Sequence, residues 1–227
     1  MKATLGTVHA VQVGEPQQVR HGGKQVATGI YKRVVEGSIL VGKGGLPGDR
    51  QADLVHHGGA DKAICVYFLK HYPYWREWLD KPLGESAFGE NLTIDGGDET
   101  QLCIGDVLRI GDSSGPLVQV TQPRVPCFKL GVRHSEPKLP AQVLQTGYCG
   151  FYLRVLEPGQ LEADQPLVFE SRDAAGMTIS EAMRIMMIDR SDDAGARRLL
   201  AIEALSGSWR EMALKRTGQR ADGEQEA

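Results

Sequence analysis

Cys127 lies in Gln122-Pro123-Arg124-Val125-Pro126-Cys127-Phe128-Lys129, a single thiol with Arg124 and Lys129 close by in sequence. Nearby cations favour the thiolate, which is both the nucleophile and the metal-ligating form of cysteine. The prolines restrict the backbone, so the sulfur is presented in a defined direction. Cys65, Cys103 and Cys149 have no cation as close in sequence as Lys129 is to Cys127, and read as small buried hydrophobes. No C-x-x-C pair and no cysteine cluster occurs, which excludes zinc-ribbon, thioredoxin-type and iron–sulfur patterns. A metal held by Cys127 must therefore draw its other ligands from elsewhere, such as a cofactor.

A second concentration of chemistry is Gly48-Asp49-Arg50-Gln51-Ala52-Asp53-Leu54-Val55-His56-His57-Gly58-Gly59-Ala60-Asp61-Lys62. The paired Gly58 and Gly59 permit close backbone approach to a ligand. Their amides, with Arg50, His57 and Lys62, suit a phosphate or a pterin. A zinc site fits poorly, because adjacent His56 and His57 in extended chain point to opposite faces. In Phe88-Gly89-Glu90-Asn91-Leu92, the Asn91 amide offers a donor and an acceptor to a heterocycle edge. Arg154 faces either solvent or a cavity.

These residues need elements to hold them. Short β-branched runs bounded by turns predict strands at Val8–Val13, Ile64–Phe68, Val107–Ile110, Leu117–Val120 and Phe151–Leu156. Repeated short strands with glycine turns imply a barrel or sandwich. A short helix is expected at 74–79, after Pro73, and another at 138–145. From about residue 176 the pattern turns helical. Thr178-Ile179-Ser180-Glu181 carries a capping box, Ser191-Asp192-Asp193 caps a second helix through Leu205, and Ser208-Trp209-Arg210-Glu211 repeats the box. Three short amphipathic helices form a small bundle, its methionines filling the core. The 227 residues suffice for one large domain and a small appendage. A net charge of −3 lacks the basic excess of a nucleic-acid binder. Neither a spanning apolar run nor a signal-peptide core is present, so no membrane association and a cytoplasmic location are expected.

Five motifs in order resemble the MOSC-domain family in its YiiM-type branch, over nearly the whole chain. They are the Gly48-to-Ala63 block, Phe88-Gly89-Glu90-Asn91-Leu92, Ile104-Gly105-Asp106, Gln122-to-Leu130 and Tyr152-Leu153-Arg154-Val155. The resemblance implies a mainly β protein, with a MOSC-type β-barrel over 1–172, a three-helix domain over 176–217 and a polar tail over 218–227. It also implies molybdenum cofactor (molybdopterin), with Cys127 as the metal ligand. The implied reaction is reduction of N-hydroxylated compounds, such as 6-hydroxylaminopurine, to the amine, giving resistance to them. Arg50, His57, Gly58, Gly59, Lys62, Asn91, Arg124 and Lys129 would hold the cofactor, whose phosphate calls for cations. His57 or Asp53 would supply protons beside Cys127. The chain lacks the iron–sulfur domain of some relatives, so electrons would come from a separate reductase, a flavoprotein or iron–sulfur protein. It also lacks a cysteine-desulfurase domain, so pyridoxal phosphate is not expected. The alternative role is a sulfur-carrier or cofactor-delivery protein with a persulfide on Cys127.

Overall fold

The computed structural model of the chain describes residues 2–53 and 58–218. In chain order the strands are β1 (Thr4–Val13), β2 (Gln17–His21), β3 (Lys24–Thr28), β4 (Arg33–Val34), β5 (Ile39–Val41), β6 (Ile64–Phe68), β7 (Leu92–Asp95), β8 (Val107–Ile110), β9 (Leu117–Pro123), β10 (Phe151–Glu157), β11 (Gly159–Leu161) and β12 (Pro166–Ser171). The α-helices are α1 (Tyr72–Trp78), α2 (Phe128–His134), α3 (Leu139–Thr146), α4 (Ile179–Met183), α5 (Asp193–Leu200) and α6 (Gly207–Thr217).

Neighbouring strands run in the order β12-β8-β9-β10-β6-β7-β1, and β12 pairs back onto β1, closing a barrel. Closure removes the long edges on which open sheets aggregate. β6 and β7 pair in parallel, Val66 opposite Leu92, and α1 lies in the crossover that a parallel pair requires. All five residues of β6 are buried, which is why it reads as an unbroken apolar run rather than an alternating one. Its partner β10 sets Tyr152 opposite Cys65, bringing two later site residues side by side.

The helical unit is continuous with the barrel. Ile179, Leu199 and Trp209 belong to the same buried cluster as Val8, Ile64, Leu108 and Phe151. Backbone bonds tie the two units as well: Ile104 N–H donates to Met177 C=O at 2.9 Å and Ile179 N–H to Leu102 C=O at 2.9 Å.

The expected strands all form, as do the helices near 74–79 and 138–145. Thr178 caps α4, accepting from Glu181 N–H at 3.0 Å, and Asp192 caps α5, accepting from Gly195 N–H at 2.7 Å. Two helix boundaries differ from expectation. α5 ends at Leu200, and turns carry the chain on to Leu205. α6 is capped by Ser206, which accepts from Trp209 N–H at 3.3 Å, and not by Ser208. Ser208 lies inside the helix, and its hydroxyl donates to Gln122 instead. The hairpin β2–β3 was not anticipated, although its Gly22-Gly23 turn, with φ of 56° and 79°, is a standard hairpin signal. Nor was α2, which begins directly after Cys127. Of the expected polar tail, 219–227 lies outside the described residues.

Candidate functional site: a cation-lined cleft

Three segments meet around one cleft. The loop leaving β9 brings Arg124, Val125 and Cys127, with Lys129 following in the first turn of α2. The loop before β6 brings Arg50, Gln51, Ala52 and Lys62. The stretch leaving β3 brings Thr28, Gly29, Ile30 and Lys32. Phe88, Gly89, Asn91, Cys65 and Tyr152 complete a cleft open to solvent. The segments fit because of glycine: a Cβ on Gly29 would lie 2.5 Å from the Arg50 carbonyl oxygen, so only glycine lets these walls approach so closely.

The lining is electrically one-sided. Lys32, Arg50, Lys62, Arg124 and Lys129 contribute cations, and no carboxylate is among the described lining residues. Lys32 forms a buried ion pair with Asp49, whose Oδ1 also accepts from Gly14 N–H at 2.9 Å. Burial pushes the Lys62 ammonium pKa down, while Asp61 and Asp53 act to hold it up. Arg124 is buried, and its Nη2 donates to Phe88 C=O at 2.6 Å. Phe88 N–H, in the preceding peptide, donates to buried Glu90 at 3.0 Å. Arg124 Nη1 is buried and has no partner among the described residues. Burial works against the Arg124 charge, but Cys65, Tyr152, Cys127 and Glu90 hold its pKa above the usual guanidinium value. A guanidinium nitrogen left without a partner in a protein interior is costly. An anion in the cleft would relieve that cost.

Two thiols line the cleft. Cys127 is half-buried at the N-cap of α2. Cys65 is buried, and desolvation pushes its thiol up to about 11 against the pull of Arg124. Burial likewise raises Cys103 and Cys149. Cys127 is thus the accessible sulfur, and the other three are held protonated at neutral pH.

Of the residues expected to form the site, Arg50, Lys62, Asn91, Arg124, Cys127 and Lys129 share this cleft. Asn91 is spoken for: its Oδ1 accepts from Cys65 N–H at 3.0 Å and its Nδ2 donates to Gln12 C=O at 3.2 Å. It pins β6 and β1 beneath the cleft rather than offering its carbonyl to a ligand. Asp53, Gly58 and Gly59 are not among the lining residues. Asp53 acts on the cleft through its field on Lys62, and Gly59 C=O accepts from Lys62 N–H at 3.0 Å, shaping the turn. His57 lies outside the described residues. Arg154 faces Asp61, its Nη2 donating to Oδ1 at 2.7 Å. Sequence reasoning missed Lys32 and Cys65 as cleft residues. Lys32 stands in no motif, and Cys65 sits in an apolar strand whose direction toward the cleft depends on its pairing with β10.

The barrel and the helical unit agree with comparisons to known proteins. Residues 53–168 match the MOSC domain, so the chain belongs to the MOSC-domain family. Residues 177–216 match the YiiM-like, 3-alpha helix domain, which places it in the YiiM-like branch. The MOSC match begins at Asp53, yet β1 and the cleft residues Lys32 and Arg50 lie upstream of it. The chain is 43% identical to the uncharacterized protein YflK of Bacillus subtilis, over 95% of this chain and 96% of that one. The crystal structure of YiiM from Geobacillus stearothermophilus superposes with a TM-score of 0.78 at 37% identity, covering 93% of this chain and 98% of that one. A protein of Gibberella moniliformis named "Reductase" is 34% identical over 69% of this chain, a match that spans 29% of that protein's length.

Proposed function

We propose that the cleft binds molybdenum cofactor and that the chain reduces N-hydroxylated compounds, such as 6-hydroxylaminopurine, to the corresponding amines. The observation that carries this reading is an accessible thiol beside a cleft rich in cations, with a buried, unpartnered Arg124 Nη1. The residues present fit the group. Its phosphate suits Arg124, Lys62, Lys129 and Arg50, and its soft metal suits the Cys127 thiolate. Among the described residues no cluster of three His, Cys, Asp or Glu could hold a metal, so further ligands would come from the pterin's own sulfurs. When bound, the cofactor supplies two-electron redox chemistry.

The remaining work falls to the chain. In R–NHOH + 2e⁻ + 2H⁺ → R–NH₂ + H₂O the N–O bond breaks and the oxygen leaves as water. The two electrons would come from a separate flavoprotein or iron–sulfur reductase. The protein orients the substrate and delivers the protons. Lys62 Nζ, made more acidic by burial, stands in the cleft as a donor. His57 and Asp53 remain candidates for the same role. The family membership and the relative named "Reductase" support this reading.

The test is to purify the protein from a cofactor-competent host, analyse metal and pterin, and supply a reductase with 6-hydroxylaminopurine. Adenine formation that disappears in Cys127→Ala is expected. Cofactor-loaded protein without turnover, or undiminished turnover in Cys127→Ala, defeats the proposal. A persulfide on Cys127 with no bound pterin, seen by mass spectrometry, would replace it with sulfur carriage.

A further inference from the structure

We propose that the helical unit is a positioning element for the cleft: its Ser206-Gly207-Ser208 segment fixes the two chain segments that carry Lys62 and Arg124. The inference rests on the reading of the cleft as an anion site.

Asp61 directly precedes Lys62 in a single 3₁₀ turn, Ala60–Lys62. Its Oδ2 accepts from Gly207 N–H at 3.0 Å and its Oδ1 from Arg154 at 2.7 Å. Its backbone carbonyl accepts from Thr121 Oγ1 at 2.7 Å. Thr121 in turn accepts, through its own carbonyl, from Ser206 N–H at 3.2 Å. The next residue, Gln122, is buried, and its Oε1 takes hydroxyl donations from Ser206 at 2.7 Å and Ser208 at 3.1 Å. Its Nε2 donates to Pro123 C=O at 3.1 Å, immediately before Arg124. Three consecutive residues at the start of α6 thus hold both cation-bearing segments at once.

These contacts come in addition to others that dock the helical unit. Docking is already supplied by the shared apolar core and by the backbone bonds between 102–104 and 177–179. The polar contacts of this segment converge instead on residues one to three positions from Lys62 and Arg124. Arg154 Nε has no partner among the described residues, so the constraint on these segments comes from their own bonds to Ser206, Gly207 and Ser208. Lys62 and Arg124 both line the cleft, so their separation sets how well they meet one anion.

The probe is inorganic phosphate, followed by isothermal titration on the full chain. Asp61→Ala and the double variant Ser206→Ala/Ser208→Ala are each expected to weaken phosphate binding about tenfold, within the usual range for coupled sites. Asp61→Asn, which keeps an acceptor oxygen, should recover much of the loss. Ala213→Gly, in the buried face of α6, should lower the melting temperature yet change phosphate affinity by less than about twofold, as distant independent sites do. Unchanged affinity in both contact variants overturns the proposal. So does an equal loss in Ala213→Gly, because stability alone would then account for the effect. Wild-type protein that binds no phosphate defeats the anion-site reading itself, and the proposal with it.

Discussion

Arg124→Met tests the cleft most directly. The substitution deletes the buried, unpartnered Nη1 and the Nη2 bond to Phe88 while keeping an unbranched side chain to fill the space. A hydrogen bond to a charged group contributes about 1.5–3 kcal/mol, so phosphate affinity should fall about 10- to 150-fold. At phosphate 100 times the wild-type Kd, binding stabilises the wild type by about 2.7 kcal/mol. For a chain of this size that raises Tm by about 5–11 °C. The variant, with affinity about 10 to 150 times weaker, gains about 0.3–1.4 kcal/mol, or about 1–6 °C. Phosphate also stabilises proteins non-specifically through exclusion from their surface. The quantity to measure by scanning calorimetry is therefore the difference between the two proteins' shifts, in which that contribution cancels. Equal shifts in wild type and Arg124→Met would refute the assignment of Arg124 as the cleft's anion donor.

Three further outcomes are expected. Burial lowers the Lys62 pKa, so the folded state binds fewer protons than the unfolded state between that lowered value and 10.5. Lys62 therefore costs stability at neutral pH, and the cost is relieved as pH rises through that window. Phosphate affinity should fall as pH rises through the same window, and titrations of Lys62→Arg should show that fall moved to higher pH; identical profiles would exclude Lys62 from the anion site. With iodoacetamide at neutral pH, peptide mapping should find Cys127 labelled in the folded protein and Cys65, Cys103 and Cys149 spared, since burial raises the pKa of all three and only the thiolate reacts. First labelling at Cys65 would contradict this order. Thr178→Ala removes the acceptor for Glu181 N–H and should cost about 1 kcal/mol, a fall in Tm of about 2–4 °C by calorimetry.

What was legible in the chain was what neighbouring residues decide among themselves. The run Ile64-Cys65-Val66-Tyr67-Phe68 declares a buried strand wherever it sits, and Thr178 caps α4 with a group three residues away. The same locality explains the misplaced start of α6. Ser206 and Ser208 both satisfy the pattern of a cap, and the choice fell to Ser206 while Gln122 took up the Ser208 hydroxyl. Cys127, Arg124 and Lys129 were found together because they are neighbours in sequence. Arg50 and Lys62 were found because they stand in a dense motif.

The sequence by itself determined most of the strands and helices, which depend on periodicity and capping, and the family, through motifs whose order along the chain needs no structure. Only the tertiary structure decided which groups face one another across the cleft. It brought in Lys32 and Cys65, turned Asn91 to hold backbone, and set Arg154 and Gly207 on Asp61. The physical reason is that burial, strand pairing and unmet hydrogen bonds are created by segments far apart in sequence. The clearest case is Arg124 Nη1. It has no partner among the described residues, a fact that depends on segments far from Arg124 in sequence.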